Sequence, residues 1–216
     1  GYTILQPRTE VKPTTVSKSL FTRIFAGDLG LDLYTRAVSD VYQDLFGEGI
    51  YVGKGIYDVE AFQRSIEGKA PDNALLSHDL FEGLLGRAAL VSDVVFFEEY
   101  PPDYASQVER LHRWVRGDWQ LLPWLFPKIP KRQGGYTSNP FEGIDLWKIF
   151  DNLRRSMLEI STLIAFITGW LMFQKSAWVW TILLLFISAF PLVNNVITTV
   201  SSRFLLGARA NLFSKI

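Results

Sequence analysis

Three kinds of side chain with complementary chemistry follow one another along this sequence. Asp79 comes after a short polar turn, Arg110 and Arg113 follow about thirty residues later, and Trp114 is next to the second arginine. A carboxylate can take the proton of a hydroxyl group, and guanidinium groups can hold phosphates. An indole offers a flat apolar face to a sugar ring. The set therefore suits a reaction in which a sugar hydroxyl is deprotonated while a diphosphate leaves with its negative charge.

Each residue of this set also has an ordinary structural explanation. Aspartate is a preferred N-cap residue, so the start of a helix is, by itself, the better explanation of Asp79. His78 can orient that carboxylate, bind a phosphate or cap the helix, and the sequence does not separate these roles. Arg110 and Arg113 share a helix face, and charged faces are usually just solvated. Trp114 interrupts this face, which favours a functional cluster.

The composition excludes several classes of site and partner. The 22 Lys and Arg residues balance 22 Asp and Glu residues, so nucleic acid is not a predicted partner. The lack of cysteine excludes disulfides, thiolate metal sites and cysteine nucleophiles. Two histidines argue against a multi-histidine zinc site. The run Gly53-Lys54-Gly55 lacks the Walker spacing, so nucleotide triphosphatase activity is not indicated.

Apolar periodicity and turn residues predict mixed helices and strands before the apolar end of the chain. A strand over Tyr2–Leu5 is expected to stop at Pro7. Four glycines between Gly47 and Tyr57 predict a short strand or hairpin whose backbone approaches another group closely. Helices are predicted over residues 32–45, 59–66 (capped by Asp58), 79–90 and 106–122, and a further strand over 91–99.

Two apolar segments near the C-terminus predict a membrane hairpin. Residues 157–173 carry no charge except Glu159, and residues 177–197 carry none. A spanning helix needs roughly 20 apolar residues, which the second segment meets and the first approaches. The short link Gln174–Ser176 predicts a tight antiparallel turn between them. The alternative is a pair of buried helices in a soluble core.

The charges around this hairpin predict its orientation. Basic residues flank both outer ends, whereas the link carries only Lys175, so the outer ends and the globular part are expected in the cytoplasm. Phe141–Leu153 mixes apolar and charged residues in a pattern typical of a helix in the headgroup layer. An ordinary surface helix packed on the domain is the alternative for that segment.

Four runs of sequence carry a family resemblance. They are AVSDVYQDLFGEG at 37–49, GKGIYDV at 53–59, LLSHDLFEG at 75–83 and HRWVRGDWQ at 112–120. Together they closely resemble the glucosyltransferase region of the cyclic β-1,2-glucan synthases, and the likeness covers almost the whole chain. The chain is also similar to the osmoregulated periplasmic glucan glucosyltransferases and, more distantly, to bacterial cellulose synthases.

The resemblance implies a processive, inverting glucosyltransferase with a GT-A fold that uses UDP-glucose. It implies Asp79 as the general base, Arg110 and Arg113 near the donor diphosphate, and Trp114 with His78 at the acceptor. Such relatives hold the uridine and a divalent cation (Mg or Mn) with a D-x-D that this sequence lacks in the expected place. The cation and the N-terminal part of the enzyme are therefore expected outside this chain, which alone should be inactive.

The predicted architecture is α/β. Residues 1–126 form the C-terminal part of a GT-A domain, 127–156 an interfacial amphipathic segment, and 157–216 transmembrane helices with a cytoplasmic tail. The expected location is the bacterial inner membrane, and the expected partners are UDP-glucose, a β-glucan acceptor and the bilayer. The alternatives are a related membrane glycosyltransferase, which makes another β-glucan or uses a lipid-linked acceptor, and a membrane-anchoring module without catalysis. Intact Asp79, Arg113 and Trp114 argue against the last.

Overall fold

The protein combines a small mixed sheet with helices. The computed structural model describes residues 1–26, 40–69, 73–76, 79–131, 134–190, 193–194 and 197. The chain divides into two compact units, Gly1–Met157 and Leu158–Ile216. The mixed α/β class predicted from the sequence is confirmed.

Three strands form the sheet of the first unit. β1 (Ile4–Val11) lies in the middle, with β2 (Ile56–Tyr57) antiparallel on one side and β3 (Ala88–Glu98) parallel on the other. The prediction that the first strand ends at Pro7 is wrong. The pairing of β1 with β3 shifts register between Pro7 and Arg8, and a proline is tolerated in a strand at such an irregularity.

Helices surround this sheet and continue beyond it. In chain order they are α1 (Pro13–Val16), α2 (Leu20–Phe25), α3 (Val41–Phe46), α4 (Val59–Ile66), α5 (Asp79–Gly86), α6 (Tyr104–Gln120), α7 (Gly143–Met172) and α8 (Gln174–Phe190), which opens with a 3-10 turn. A 3-10 turn at Leu122–Leu125 leads into a small hairpin of β4 (Lys128–Pro130) and β5 (Tyr136–Ser138). Most of the predicted helix over residues 32–45 lies outside the described residues.

The helix and strand predicted around Leu90 meet earlier than expected. α5 ends at Gly86, and Arg87 adopts a left-handed backbone conformation with φ of 56°. The apolar run from Ala88 to Leu90, predicted as the end of a helix, instead opens β3 beside β1. A short apolar run fits either element, and burial in the sheet decides for the strand.

The main core joins the helices that follow the sheet. The ring of Phe81 in α5 packs edge-on against Trp124 and Phe141, with centroids 5.2 and 5.8 Å away. Ile149 of α7 is 1% exposed and belongs to the same cluster. One face of the predicted interfacial helix is therefore packed on the domain, as the alternative reading expected. Its other face leaves Trp147 half-exposed.

The first apolar segment continues the helix that precedes it. α7 runs without a break from Gly143 to Met172, so the boundary predicted near residue 156 falls inside one helix. The turn at Gln174–Ser176 follows α7 as predicted. The chain bends there by 113°, so an antiparallel reversal was not the correct prediction. Within the second unit the ring of Phe173, just before the turn, stacks on the ring of Trp180 in α8.

The length and composition of α7 and α8 bear on whether they can span a membrane. Within the described part of the chain, neither α7 nor α8 alone combines the length and hydropathy of a span. The bent pair meets both requirements when the two helices are taken together.

A buried ion pair between Lys148 and Glu48 generates a stability prediction. The ammonium group lies 2.8 Å from the Glu48 carboxylate and 5.4 Å from the ring centroid of Tyr42, and the Lys148 side chain is 1% exposed. Removal of one member of a buried ion pair leaves the charge of the other member buried and uncompensated. We expect Lys148→Ala to lower the free energy of unfolding by about 3 kcal/mol, measured by urea titration in mild detergent.

Arg154→Ala is the matched control on the same helix. Arg154 pairs with Asp151 at 2.6 Å, but its side chain is largely exposed, so its loss should cost less than about 1 kcal/mol. Equal effects of the two substitutions would contradict a structural role for the buried pair.

Candidate functional site

Asp79 is placed at the start of a well-anchored helix. α5 begins at Asp79, and the next two residues, Leu80 and Phe81, are buried in the main core. The carboxylate therefore lies in the first turn, where the helix dipole favours a negative charge. Ser77 and His78 lie outside the described residues, so the predicted role of His78 stays a prediction.

The backbone of Gly53 lies directly against the Asp79 carboxylate. A Cβ atom added at Gly53 would be 2.7 to 3.0 Å from the three atoms of the carboxylate group, and Gly53 has a φ of +91°. Both the contact and the left-handed conformation require glycine. The close backbone approach predicted from the glycine-rich run is confirmed here, and the group that it approaches is the predicted base.

The negative charge of Asp79 acts on one of a pair of hydrogen-bonded tyrosines. The hydroxyl groups of Tyr51 and Tyr57 share a hydrogen bond. The pKa of Tyr51 is raised mainly by burial, then by Tyr57 and by the negative charges of Glu82 and Asp79. Tyr51 therefore stays a neutral phenol, and the charge of Asp79 contributes to keeping it neutral.

The residue after Gly53 connects this loop to the sheet. The Lys54 ammonium group lies 2.8 Å from the Glu98 carboxylate, and both side chains are about one-third exposed. Glu98 is the last residue of β3, and its carbonyl accepts a hydrogen bond of 2.8 Å from the Lys12 N–H. The loop over Asp79 is thus tied to the end of a strand.

The helix that carries the arginines begins with a strong cap. The Asp103 carboxylate accepts hydrogen bonds from the Ser106 N–H at 2.9 Å and from its hydroxyl at 3.0 Å. These bonds lower the pKa of Asp103. α6 then runs to Gln120, whose side-chain oxygen accepts a bond of 2.7 Å from the Leu76 N–H. This bond ties the end of α6 to the loop before Asp79.

Arg110 lies between two aromatic rings. Its guanidinium carbon is 4.6 Å from the ring centroid of Trp114 and 5.5 Å from that of Tyr100. Burial lowers the pKa of Arg110, while the nearby Tyr100 and Glu98 oppose that change and Arg113 adds to it. Two guanidinium nitrogens are buried without a hydrogen-bond partner among the described residues. Buried donors of this kind are uncommon and are suited to a ligand.

An open groove lies along the same side of α6. Its lining includes Arg110, His112 and Arg113 from the helix and the segment Glu99–Pro102 beyond β3. Trp114 remains 45% exposed although Arg110 covers part of it. The structure thus places Arg110, Arg113 and Trp114 together.

The connection from Asp79 to this helix runs partly through residues that belong to no sequence motif. It passes from Gly53 and Lys54 to Glu98, and two residues later the ring of Tyr100 lies under Arg110. Tyr100 and Glu98 belong to no recognisable motif. Their positions at the site depend on the pairing of β3 with β1, which is distant in sequence. Only the dense glycines of the loop gave a usable signal.

The acidic and histidine side chains of the described residues are too scattered to form a metal site. Over the described stretches, no three acidic or histidine side chains are grouped closely enough to hold an ion. The divalent cation therefore stays an expectation drawn from the resemblance, and the geometry of the described residues assigns it no ligand.

Comparison with known proteins gives one informative relative. No family model matches the chain. The chain is 44% identical over 191 residues to the cyclic β-(1,2)-glucan synthase NdvB of Rhizobium meliloti (strain 1021). The alignment covers 86% of this chain and 6% of that protein. The resemblance predicted from the four sequence runs is confirmed, and the chain is related to a short segment of such a synthase.

The contact between Gly53 and Asp79 predicts a sharp cost for a methyl group. Gly53→Ala adds a clash with the carboxylate to the strain of a positive φ, so we expect unfolding to become easier by about 2–4 kcal/mol. Gly68→Ala is the matched control, because Gly68 has a φ of +73° but open space around it. That control should cost about 1 kcal/mol.

Thermal unfolding of both variants in mild detergent measures the difference. If Gly53→Ala costs no more than Gly68→Ala, the carboxylate does not lie against Gly53 and the site geometry is wrong.

Proposed function

We propose that this chain, as a relative of one segment of cyclic β-1,2-glucan synthase, supplies the base and the acceptor side of an inverting glucosyltransferase. The donor is UDP-glucose and the acceptor is a growing β-1,2-glucan. The observation that carries the proposal is the Asp79 carboxylate, which is held against Gly53 and linked to the Arg110–Trp114 pair in a chain with this ancestry. The GT-A fold is part of this proposal.

Asp79 takes the proton of the acceptor 2-hydroxyl. The oxygen then bonds to the anomeric carbon of the donor glucose, the bond from that carbon to the diphosphate breaks, and UDP carries away the electron pair. The attack occurs from the side opposite to the leaving group, so the configuration inverts. Asp79 suits this role because Gly53 restricts its position and α5 anchors its backbone. A fixed base within hydrogen-bond reach of the hydroxyl needs little reorganisation.

Arg110 and Arg113 stabilise the departing diphosphate. Arg110 and Arg113 both line the open groove, and two guanidinium nitrogens of Arg110 make no hydrogen bond within the described part of the chain. Guanidinium groups keep their charge and match phosphate oxygens in pairs, which favours them over lysine at such a site. A divalent cation, held mainly by residues outside this chain, would neutralise further negative charge on the diphosphate.

Trp114 binds the acceptor glucan. Arg110 packs on the indole and restricts its orientation, while nearly half of the residue stays exposed. The C–H face of a glucose ring packs on such a surface and leaves its hydroxyls free to bond elsewhere. His78 is expected at the same end of the site.

The membrane keeps this site at the cytoplasmic surface. The proposal places the apolar part of the α7–α8 pair, after Met157, in the inner membrane and the first unit in the cytoplasm, in line with the basic residues at the outer ends of the apolar region. The half-exposed Trp147 and Phe150 on α7 suit the headgroup layer.

Asp79→Asn tests the base directly. Asparagine keeps the size of the side chain but cannot accept the proton, so glucosyl transfer in the complete enzyme should fall on the order of 10³-fold. Binding of UDP-glucose should be retained. Transfer of radiolabelled glucose in membrane preparations gives the first quantity, and UDP inhibition gives the second.

Asp93→Asn is the control for this substitution, because Asp93 is an exposed aspartate on β3. It should leave turnover unchanged. Near-normal turnover by Asp79→Asn would end the assignment of the base.

Arg113 and Trp114 are expected to act at different ends of the reaction. Arg113→Lys keeps a positive charge but loses the planar fork, so turnover should fall about tenfold or more. Trp114→Ala should raise the KM for the glucan acceptor and leave inhibition by UDP unchanged. Steady-state kinetics with acceptor and UDP varied separately measures both effects.

Trp119→Ala on the same helix is the control, since Trp119 is similarly exposed but lies more than two helical turns beyond Arg110, which packs on Trp114. A Trp114→Ala enzyme in which inhibition by UDP is weakened as much as acceptor binding would contradict separate roles for Arg113 at the diphosphate and Trp114 at the acceptor.

A further inference from the structure

Glu98 faces both halves of the proposed site. On one side its carboxylate lies 2.8 Å from the Lys54 ammonium group, in the loop whose Gly53 covers Asp79. On the other side its negative charge acts on the buried guanidinium group of Arg110, where it helps to offset the lowering of the Arg110 pKa by burial. Glu98 is therefore ion-paired with Lys54, and two residues later Tyr100 carries the guanidinium group of Arg110 over its ring.

The backbone around Glu98 is held in place by the sheet. Glu98 pairs with Val11 at the end of the parallel β1–β3 ladder, and its carbonyl also accepts a bond from Lys12. Tyr100, two residues further, is 5% exposed and carries Arg110 over its ring. The strand end therefore holds Glu98 next to the loop through Lys54 and next to the arginine through Tyr100.

We propose that Glu98 is a positioning residue that sets the Gly53–Lys54 loop over Asp79 and the Arg110–Trp114 pair in register with each other. Glu98 touches neither substrate. It fixes the base through Lys54 and the acceptor platform through Arg110, so that the hydroxyl bound at the platform meets the carboxylate. This role rests on the proposed glucosyl transfer.

The two links of Glu98 predict different kinetic consequences. Release of Lys54 loosens the loop over Asp79, which should lower kcat with little effect on substrate binding, because a misplaced reacting group costs up to about 10²-fold for 1 Å. Loss of the charge beside Arg110 loosens the platform, which should raise the KM for the glucan acceptor. A merely structural role would change stability and leave the ratio of kcat to KM for each substrate as it was.

Three variants of the complete enzyme separate these consequences. Lys54→Met should lower kcat about tenfold and leave the acceptor KM within about twofold. Glu98→Gln should lower kcat to a similar extent and also raise the acceptor KM. The charge exchange Lys54→Glu with Glu98→Lys restores the loop pair but places a like charge near Arg110. It should therefore recover most of kcat and keep, or worsen, the raised acceptor KM.

Glu10→Gln provides the matched control. Glu10 lies on β1 and pairs with Arg8 at 2.9 Å, with a side-chain exposure similar to that of Glu98. It should change neither kinetic constant. Thermal unfolding of every variant shows whether a loss of turnover reflects a loss of fold, and the charge exchange keeps the test decisive if Glu98→Gln is unstable.

Two results would overturn the role of Glu98. One is kinetics of Glu98→Gln indistinguishable from those of Glu10→Gln, and the other is a charge exchange that recovers no kcat although the protein is folded. Asp79→Asn is assayed in parallel, so that failure of the proposed function can be told apart from failure of the role of Glu98. If that variant is active, the proposed function fails, whereas if it is inactive while Glu98→Gln is normal, only the role of Glu98 fails.

Discussion

The contact between the Gly53 backbone and the Asp79 carboxylate is the constraint on which the rest of the site depends. Any side chain at position 53 would occupy the space of the carboxylate, so the loop can close over α5 only with glycine at this point. The contact fixes where the loop passes, and the loop then places Lys54 within ion-pair distance of Glu98. What the fold provides to the base is a fixed position.

The main core keeps the other end of the site in place. Phe81, two residues after Asp79, packs on Trp124, which follows directly from the end of α6. The Gln120 side chain of α6 also bonds the loop before Asp79. The helix that carries Arg110 and Trp114 is therefore anchored to α5 at its C-terminal end and to the Glu98–Tyr100 segment along its length. These contacts restrict the movement of the helix that lines the groove.

Local patterns in the sequence predicted the elements whose signals are local. Asp58 and the helix Val59–Ile66 were predicted correctly, because a side-chain cap and helical periodicity both act within a few residues. The strand β1 continued past Pro7, and β3 began at Ala88, because sheet pairing overrode local preference. Asp79, Arg110 and Trp114 were identifiable as motif residues. Glu98 and Tyr100 were not, since their positions depend on contacts distant in sequence.

A structure of the complete enzyme with UDP and a glucan acceptor would test the central claim most directly. Our account predicts an Asp79 carboxylate oxygen about 2.6–3.2 Å from the acceptor 2-hydroxyl, with the terminal glucose packed on Trp114. Gly53 should remain in contact with the same carboxylate. An acceptor hydroxyl bound to a different carboxylate, with Asp79 turned away from the sugar, would contradict the account.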